Sequence, residues 1–229
     1  MPRLCLFLKE EKKMDEKSEG IVKARYRALA PAVKAALERR GYEAYVCEDA
    51  AQAAEQVLSL IPRGSSVSWG GSLTLEALGI AQKLREAGYP LLDRDSAKTN
   101  EERQEIQRRA LTCETFLSSV NALSEDGTMF NIDGTGNRIA PIAYGPEQVV
   151  LVVGMNKVCR DAKAAKERAR TVAAPANGMR LATDTPCAKT GSCADCNSPA
   201  CICSQIVEMR RNRVPGRIKV VLVCESLGL

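Results

Sequence analysis

The stretch Gln148-Val149-Val150-Leu151-Val152-Val153-Gly154 decides the fold class of this chain. It is continuous, apolar and rich in β-branched residues, which is typical of a strand buried on both faces of a parallel sheet. Parallel strands need a crossover connection, and a helix is indicated shortly afterwards, from Asp161 to Val172. We therefore predict an α/β fold built around this strand.

Short strand patterns alternate with helical patterns through most of the chain. Asp126-Gly127 interrupts this alternation with a strong hairpin signal. We predict a Rossmann-like, mainly parallel sheet flanked by helices, with one β-hairpin insertion and a C-terminal cysteine-rich loop. The strand patterns lie at residues 42–47, 65–69, 90–92, 128–132 and 217–223, and the helical patterns at residues 21–41, 49–60, 100–111 and 204–211.

The chain is expected to form one domain after a short leader. Residues 1–20 are rich in Lys and Glu and are interpreted as a charged, frayed leader, so the α/β domain spans residues 21–229 and includes the cysteine-rich loop 185–204. With 229 residues, 45% of them apolar, the chain can bury one core. No stretch reaches the roughly 18 apolar residues of a membrane helix or resembles a secretory signal, so we expect a cytoplasmic protein without membrane contact.

The composition excludes several classes of function. The chain has no histidine, which rules out mixed Cys/His metal sites and histidine-based acid–base catalysis. Its net charge of +5 is spread over helical stretches, and aromatic residues make up only 4%. Both features argue against a nucleic-acid partner, which needs a concentrated basic patch or stacking side chains.

The first polar turn, Gly70-Gly71-Ser72, follows the strand pattern at Ser65–Trp69 and precedes a helical pattern. A strand, a glycine turn and a helix form the layout of an anion-binding turn, because glycine admits a ligand close to the backbone and the first helical N–H groups point at it. Thr74 adds a hydroxyl donor. The alternative is a plain connecting loop in which Ser72 caps the helix.

A second glycine turn, Asp133–Arg138, also follows a strand pattern, and Asn156 and Lys157 follow the buried strand. Ligands of parallel sheets bind beyond the carboxyl ends of strands, so we expect one pocket for a small anionic substrate, with Arg138 as a bidentate clamp. A tight turn with a solvent-facing arginine is the alternative. Glu76 and Asp133 are the candidate catalytic carboxylates. The predicted ligand-binding residues are Gly70, Gly71, Ser72, Thr74, Asp133, Thr135, Gly136, Asn137, Arg138, Asn156 and Lys157.

The loop Thr185–Cys203 holds five of the ten cysteines. Thiolates gathered in a polar loop are soft ligands for zinc or for iron–sulfur iron. Only Cys193 and Cys196 form the close pair typical of structural zinc, and the wider spacing around them favours a 4Fe–4S cluster, with zinc as the alternative. The predicted ligands are Cys187, Cys193, Cys196 and Cys203, although Cys201 shares a face with Cys203 if Ile202 is extended.

Four motifs, in order, resemble the LUD-domain family of lactate-utilization proteins: Ser68–Glu76, Asp133–Arg138, Val153–Lys157 and Thr185–Cys203. The likeness runs from about Ile21 to the C-terminus. It implies a fold related to sugar isomerases and CoA transferases, a role in L-lactate oxidation to pyruvate, and an iron–sulfur partner subunit. Cys201 departs from the family pattern, where a charged residue is expected, and the family-like spacing favours Cys203 as the fourth ligand.

Three functions are consistent with these features. The leading hypothesis is a redox subunit or accessory protein for a small 2-hydroxy acid, carrying a cysteine-ligated iron–sulfur cluster; whether the chain is itself an oxidoreductase stays open. The second is an isomerase or CoA-transferase-like enzyme that acts on a phosphosugar or an acyl ester. The third is a non-catalytic binding module with structural zinc. A homodimer is left open.

Overall fold

The computed structural model describes the backbone of residues 2–229 and the side chains of residues 17–229. Its strands, in chain order, are β1 Glu43–Cys47, β2 Val67–Trp69, β3 Leu91–Leu92, β4 Thr115–Ser118, β5 Ala122–Ser124, β6 Met129–Asp133, β7 Gln148–Gly154, β8 Val158–Cys159, β9 Gln205–Met209 and β10 Ile218–Val223.

The helices are α1 Pro2–Arg39, α2 Ala50–Leu60, α3 Leu73–Ala77, α4 Ile80–Glu86, α5 Asn100–Arg109, α6 Ile139–Ala143, α7 Ala162–Arg168, α8 Ala174–Arg180 and α9 Pro186–Thr190. A π-helical turn, Ala169–Ala173, joins α7 to α8. Short 3₁₀ turns lie at Arg94–Ser96, Ala110–Thr112 and Met155–Lys157.

Six strands form a parallel sheet in the order β1-β10-β7-β4-β2-β3. Every residue of β7 is buried, as its continuous apolar sequence predicts. Val149 and Leu151 face the cluster that includes the inner side of α1, whereas Val150 and Val152 face the cluster that includes α2 and α4. Helices therefore cover both faces of the sheet, and the predicted α/β class is confirmed.

A second sheet of four strands, in the order β8-β5-β6-β9, lies beside the first. Its centre is the antiparallel pair β5–β6, the hairpin that Asp126-Gly127 predicts. The helix predicted over residues 204–211 is wrong, because Gln205–Met209 is strand β9 and pairs with β6 over five residues. Ile206 and Val207 are β-branched and favour a strand, and the backbone bonds offered by β6 outweigh a weak local helix preference.

The backbone of α1 begins at Pro2, N-terminal to the helix start near Ile21 that the sequence predicts. Most of the predicted leader, residues 1–16, lies outside the part of the chain whose side chains are described. Gly41 ends this helix, as predicted, with a φ of +81° that glycine adopts readily. None of the helices in the described residues combines the length and the apolar character needed to cross a bilayer.

Candidate functional site

A cavity of about 330 Å³ lies where the carboxyl ends of the parallel strands meet the second sheet. Thr74 follows β2, Arg94 follows β3, Ser119 follows β4 and Lys157 follows β7, while Asp133 ends β6 of the second sheet. Both predicted glycine turns therefore face one cleft. The predicted residues that line it are Gly71, Ser72, Thr74, Asp133, Thr135, Asn137, Arg138 and Lys157.

Three predicted residues do not line this cavity, and each supports it from behind. A Cβ on Gly70 would lie 2.8 Å from Cγ of Arg138, so glycine lets that arginine pack against the turn. Gly136 has a φ of +81° and abuts the side chain of Gln205. Asn156 accepts a hydrogen bond from the Leu227 N–H at 3.1 Å and so anchors the C-terminal segment.

The position of Ser72 is compatible with both interpretations of its turn, as a helix cap and as part of a ligand pocket. Its hydroxyl accepts a hydrogen bond from the Leu75 N–H at 3.4 Å, so it caps α3 as the plain-loop alternative predicts. It also lines the cavity together with Gly71. The cap orients the turn, and the turn presents its glycine backbone to the cavity.

The guanidinium of Arg138 is already occupied by protein acceptors. Nη1 donates to the Ser119 carbonyl at 3.0 Å and to Asn131 Oδ1 at 3.1 Å. Nη2 donates to Asn121 Oδ1 and to the Ile132 carbonyl, both at 2.7 Å. These bonds use all four terminal N–H groups. Arg138 therefore ties the two sheets together and contributes positive charge to the cavity, with no terminal donor left to form a bidentate clamp.

The carboxylate of Asp133 is likewise occupied by hydrogen bonds within the protein. Its Oδ1 accepts from the Gly134 N–H at 3.0 Å, and its Oδ2 accepts from the N–H groups of Arg138 and Ile139 at 2.9 and 3.1 Å. A carboxylate at a helix start satisfies the unpaired N–H groups of the first turn. This geometry holds the carboxylate as the cap of α6 rather than directing it at a ligand.

Glu76, the other candidate catalytic carboxylate, is exposed and does not line the main cavity. It faces a second cavity of about 340 Å³, which shares Gly71 and Ser72 with the first and also includes Trp69. The two carboxylates predicted for catalysis therefore do not act on one space.

Arg94 also lines the main cavity. Its Nε is buried, and no acceptor among the described residues forms a hydrogen bond with it. Its side chain is 15% exposed, and the nearest carboxylate oxygen, of Asp95, lies 3.7 Å from Nε. Burial lowers the pKa of Arg94, the cations Arg103 and Arg180 act in the same direction, and the carboxylates of Asp95 and Asp133 oppose them. The group stays charged at neutral pH, so a largely buried cation faces the cavity with its nearest counter-charge, Asp95, 3.7 Å away and with no hydrogen-bond acceptor among the described residues for Nε.

Sequence reasoning missed several lining residues. Arg94 could have been found, because it follows the strand pattern at residues 90–92 in the same way as Gly70 follows the pattern at residues 65–69. Ser119 follows β4, whose end the sequence does not mark. Arg180 has no such signal. It reaches the cavity from α8, beyond the π-helical turn, where the sequence predicts that the helix has ended. The missed polar residues that line the cavity are Arg94, Arg103, Gln107, Ser119, Asn121, Asn177 and Arg180.

Lys157 is 3% exposed and lies in the 3₁₀ turn after β7. Its Nζ donates to Thr74 Oγ1 and to Ser119 Oγ, both at 2.9 Å. Burial, with a smaller contribution from the positive charges of Arg168 and Arg138, lowers the pKa of Lys157 to about 7. Its amine therefore releases its proton several units below the ordinary lysine range.

The cysteine-rich loop encloses a separate cavity of about 150 Å³. Thr185 caps α9 at the entrance to this loop, and its hydroxyl lies 3.3 Å from the sulfur of Cys187. Asp195 adopts a φ of +48° between two of the cysteines, which reverses the chain there. All five loop cysteines line the cavity: Cys187, Cys193, Cys196, Cys201 and Cys203.

The sulfur atoms of this cavity influence one another. Burial, together with the neighbouring thiols of Cys201, Cys187 and Cys193, raises the pKa of Cys203 to about 12. Within the described residues, no group of three or more Cys, Asp or Glu side chains is arranged to hold a metal ion. The donor chemistry thus fits a soft metal or an iron–sulfur cluster, whereas ligation requires the sulfurs to move closer together.

The remaining cysteines do not join this group. Cys47, Cys113 and Cys224 are buried in the two main core clusters. Cys159 is half-buried at the end of β8. Cys5 lies outside the residues whose side chains are described.

Ile202 connects the two cavities. It stands between Cys201 and Cys203, and it lines both the cysteine cavity and the basic cavity. Its Cα lies 3.6 Å from the position that a Cβ on Gly134 would occupy, so the cysteine loop packs directly against the second glycine turn.

The chain resembles known proteins at the level of a family and a fold. The family model of the LUD domain matches residues 30–223. Among solved structures, the chain is similar to the crystal structure of a DUF162 family protein from Deinococcus radiodurans, with a TM-score of 0.53 and 11% identity, over 86% of this chain and 98% of that chain. No curated protein matches the sequence. At 11% identity the structural likeness supports the fold alone.

Proposed function

The chain belongs to the LUD domain family, and from this premise we propose that it is a lactate-utilization-type redox protein. Its basic cavity binds a small 2-hydroxy acid, and its cysteine loop holds an iron–sulfur cluster. The proposal rests on the position of Ile202. This residue lines both cavities, so the cysteine loop forms part of the wall of the proposed anion site.

The charge of the main cavity supports an anionic ligand. Asp133 is the one acidic side chain among the described residues that lines it, and that carboxylate accepts from three backbone N–H groups. The bound anion offsets an excess of positive charge that comes from several elements of the fold. The cationic lining residues are Arg94, Arg103, Arg138, Lys157 and Arg180.

Arg94 is the group best suited to hold the ligand's carboxylate. A buried guanidinium N–H without an acceptor, as at Arg94 Nε, is costly, and a carboxylate that accepts from this group removes the cost. Arg138 contributes charge at longer range, because its terminal donors are taken. Lys157, with Thr74 and Ser119, lies where the ligand's oxygen-bearing carbon can be placed.

The cysteine loop supports a cluster through its donor set. Five thiols line one cavity, and the loop is rich in residues that permit tight turns. Cys187, Cys193, Cys196 and Cys203 would serve as ligands, and an iron–sulfur cluster bound there supplies one-electron transfer. The proximity of Ile202 to Gly134 makes the loop a direct neighbour of the ligand.

Metal analysis of protein purified without oxygen tests this function. We expect iron and sulfide in the wild type. Separate replacement of Cys187, Cys193, Cys196 and Cys203 by Ser should remove most of the iron, whereas Cys201→Ser should retain it. Cys113→Ser is the matched control, because it removes a buried thiol far from the loop in sequence. Stoichiometric zinc without iron or sulfide would contradict the cluster and leave the structural-zinc alternative.

The isomerase or CoA-transferase alternative receives less support. It needs a carboxylate that is free to act as base or nucleophile in the ligand cavity. Asp133 is fixed as a helix cap, and Glu76 faces another cavity. No specific observation favours this chemistry over anion binding beside the cysteine loop.

The proposal includes the iron–sulfur partner protein that the resemblance implies. Ile206, on the exposed strand β9, lines the cysteine cavity and is 41% exposed. β9 pairs with β6 on one side, within the described residues, and so forms the edge of the second sheet. This edge is a suitable contact for a protein that exchanges electrons with the loop.

A further inference from the structure

The amine of Lys157 is buried in the ligand cavity without a carboxylate partner among the described residues. Its Nζ donates to two hydroxyls, Thr74 Oγ1 and Ser119 Oγ, both at 2.9 Å. None of the ion pairs of the described residues includes it. Buried lysines are rarely left in this state, since a buried ammonium is ordinarily paired with an acid.

The number of donors matches a neutral amine. A neutral –NH₂ group has two N–H donors, and the two hydroxyls accept both, which leaves the nitrogen lone pair unoccupied. An ammonium would have a third N–H to satisfy. Burial lowers the pKa of Lys157 to about 7, with Arg168 and Arg138 acting in the same direction, so a large share of the molecules carry the neutral form at physiological pH.

Ser119 places this amine beside a cation. Its hydroxyl accepts from Lys157, and its carbonyl accepts from Arg138 Nη1 at 3.0 Å. A ligand whose carbonyl reaches Lys157 therefore has its adjacent carboxylate in the field of Arg138, with Arg94 on the same cavity wall. A carboxylate directly attached to a carbonyl defines a 2-oxo acid.

We propose that Lys157 is a nucleophile that forms a reversible imine with a 2-oxo acid in this cavity. The proposal rests on the proposed function, because the ligand is the oxidised form of the 2-hydroxy acid assigned to the same site. A neutral lysine in an apolar or cationic setting is the usual means by which proteins activate an amine for carbonyl addition.

The step balances without an oxidant. The lone pair of Nζ adds to the carbonyl carbon, and the carbonyl oxygen takes up a proton to give a carbinolamine. The nitrogen then forms a double bond to carbon while the carbon–oxygen bond breaks, and water leaves. The hydroxyls of Thr74 and Ser119, each 2.9 Å from Nζ, are placed to pass the proton from nitrogen to the departing hydroxyl. Hydrolysis reverses the sequence and regenerates both partners.

Reductive trapping tests the proposal. The wild-type protein is incubated with pyruvate and sodium cyanoborohydride, and the product is analysed by intact mass spectrometry and peptide mapping. We expect one adduct per chain, located on Lys157. Lys157→Met should abolish the adduct. Lys163→Met is the matched control, because it removes an exposed lysine from the neighbouring helix α7 and should leave the adduct unchanged.

Peptide mapping of the wild type decides the question even if Lys157→Met fails to fold. An adduct spread over exposed lysines, or one that persists in a folded Lys157→Met variant, would overturn the imine. A separate thermal-shift measurement with pyruvate distinguishes the two proposals. If pyruvate raises the melting temperature but no adduct forms, the imine is wrong and the anion site stands. If pyruvate neither binds nor reacts, the proposed ligand class fails as well.

Discussion

Gly71→Ala should weaken anion binding while leaving the fold intact. A Cβ at this position would lie 2.4 Å from Nη2 of Arg94, far inside the usual contact distance of about 3.5 Å. Gly71 does not have a positive φ, so alanine adds no backbone strain. The clash falls on the flexible end of an arginine side chain, and the guanidinium can relieve it by moving about 1 Å or more.

The magnitude follows from what that movement disrupts. A charged hydrogen bond contributes about 1.5–3 kcal/mol, so its loss weakens binding by roughly 10- to 150-fold. The free energy of unfolding should change by less than about 1 kcal/mol, because neither a core contact nor a backbone bond is lost. Isothermal titration with L-lactate and pyruvate measures the first quantity, and urea denaturation measures the second.

Three further variants make the comparison specific. Arg94→Gln removes the guanidinium itself and should weaken binding to a similar extent, whereas Arg109→Gln removes an exposed positive charge from α5 and should not. Gly134→Ala adds a methyl group to the same cavity, at an ordinary 3.6 Å from Ile202 Cα, and should have little effect. The assignment of Arg94 is refuted if Gly71→Ala binds as tightly as wild type, or if Gly134→Ala loses as much affinity.

Two further predictions concern stability. Gly145→Ala should lower the free energy of unfolding by at least about 2 kcal/mol, because Gly145 has a φ of +117° and a Cβ there would lie 2.3 Å from the Leu111 carbonyl oxygen; Gly64→Ala, with positive φ but open space, should cost less in the same urea titration. Lys157 should make stability rise with pH from about 7 to about 10.5, because the unfolded chain binds a proton there that the folded protein releases. The free energy of unfolding of the wild type, relative to that of Lys157→Met, should therefore rise across that window, and a constant difference would contradict the lowered pKa.

The elements of the main sheet could be predicted because their signals are local. β7 is recognisable from one apolar run, and α2 from Asp49, whose side chain accepts from the Gln52 N–H as a cap should. The second sheet could not be predicted in the same way. β9 follows the cysteine loop and pairs with β6 more than seventy residues earlier, so its strand state depends on a distant partner.

The candidate site was predictable in its position and less so in the roles of its residues. The rule that ligands bind beyond strand ends located the cleft, and Ser72, Thr74 and Lys157 lie in it. Residue type alone could not show that the polar atoms of Arg138 and Asp133 form hydrogen bonds within the protein itself. That distinction depends on which acceptors lie within about 3 Å, and sequence does not specify this.

The charged groups of the main cavity differ in how many hydrogen-bond partners the protein provides for them, and this difference is an argument for a ligand. A fold selected for stability alone would give a buried guanidinium N–H an acceptor or replace the arginine with an apolar side chain, since an unsatisfied buried donor is unfavourable. Here Arg138 receives four protein acceptors, while Arg94, in the same cavity, has a buried Nε without one. Asp133, the lining carboxylate, caps α6 instead of pairing with Arg94. Arg94 Nε lacks an acceptor among the described residues, and the anionic ligand that we propose would supply one.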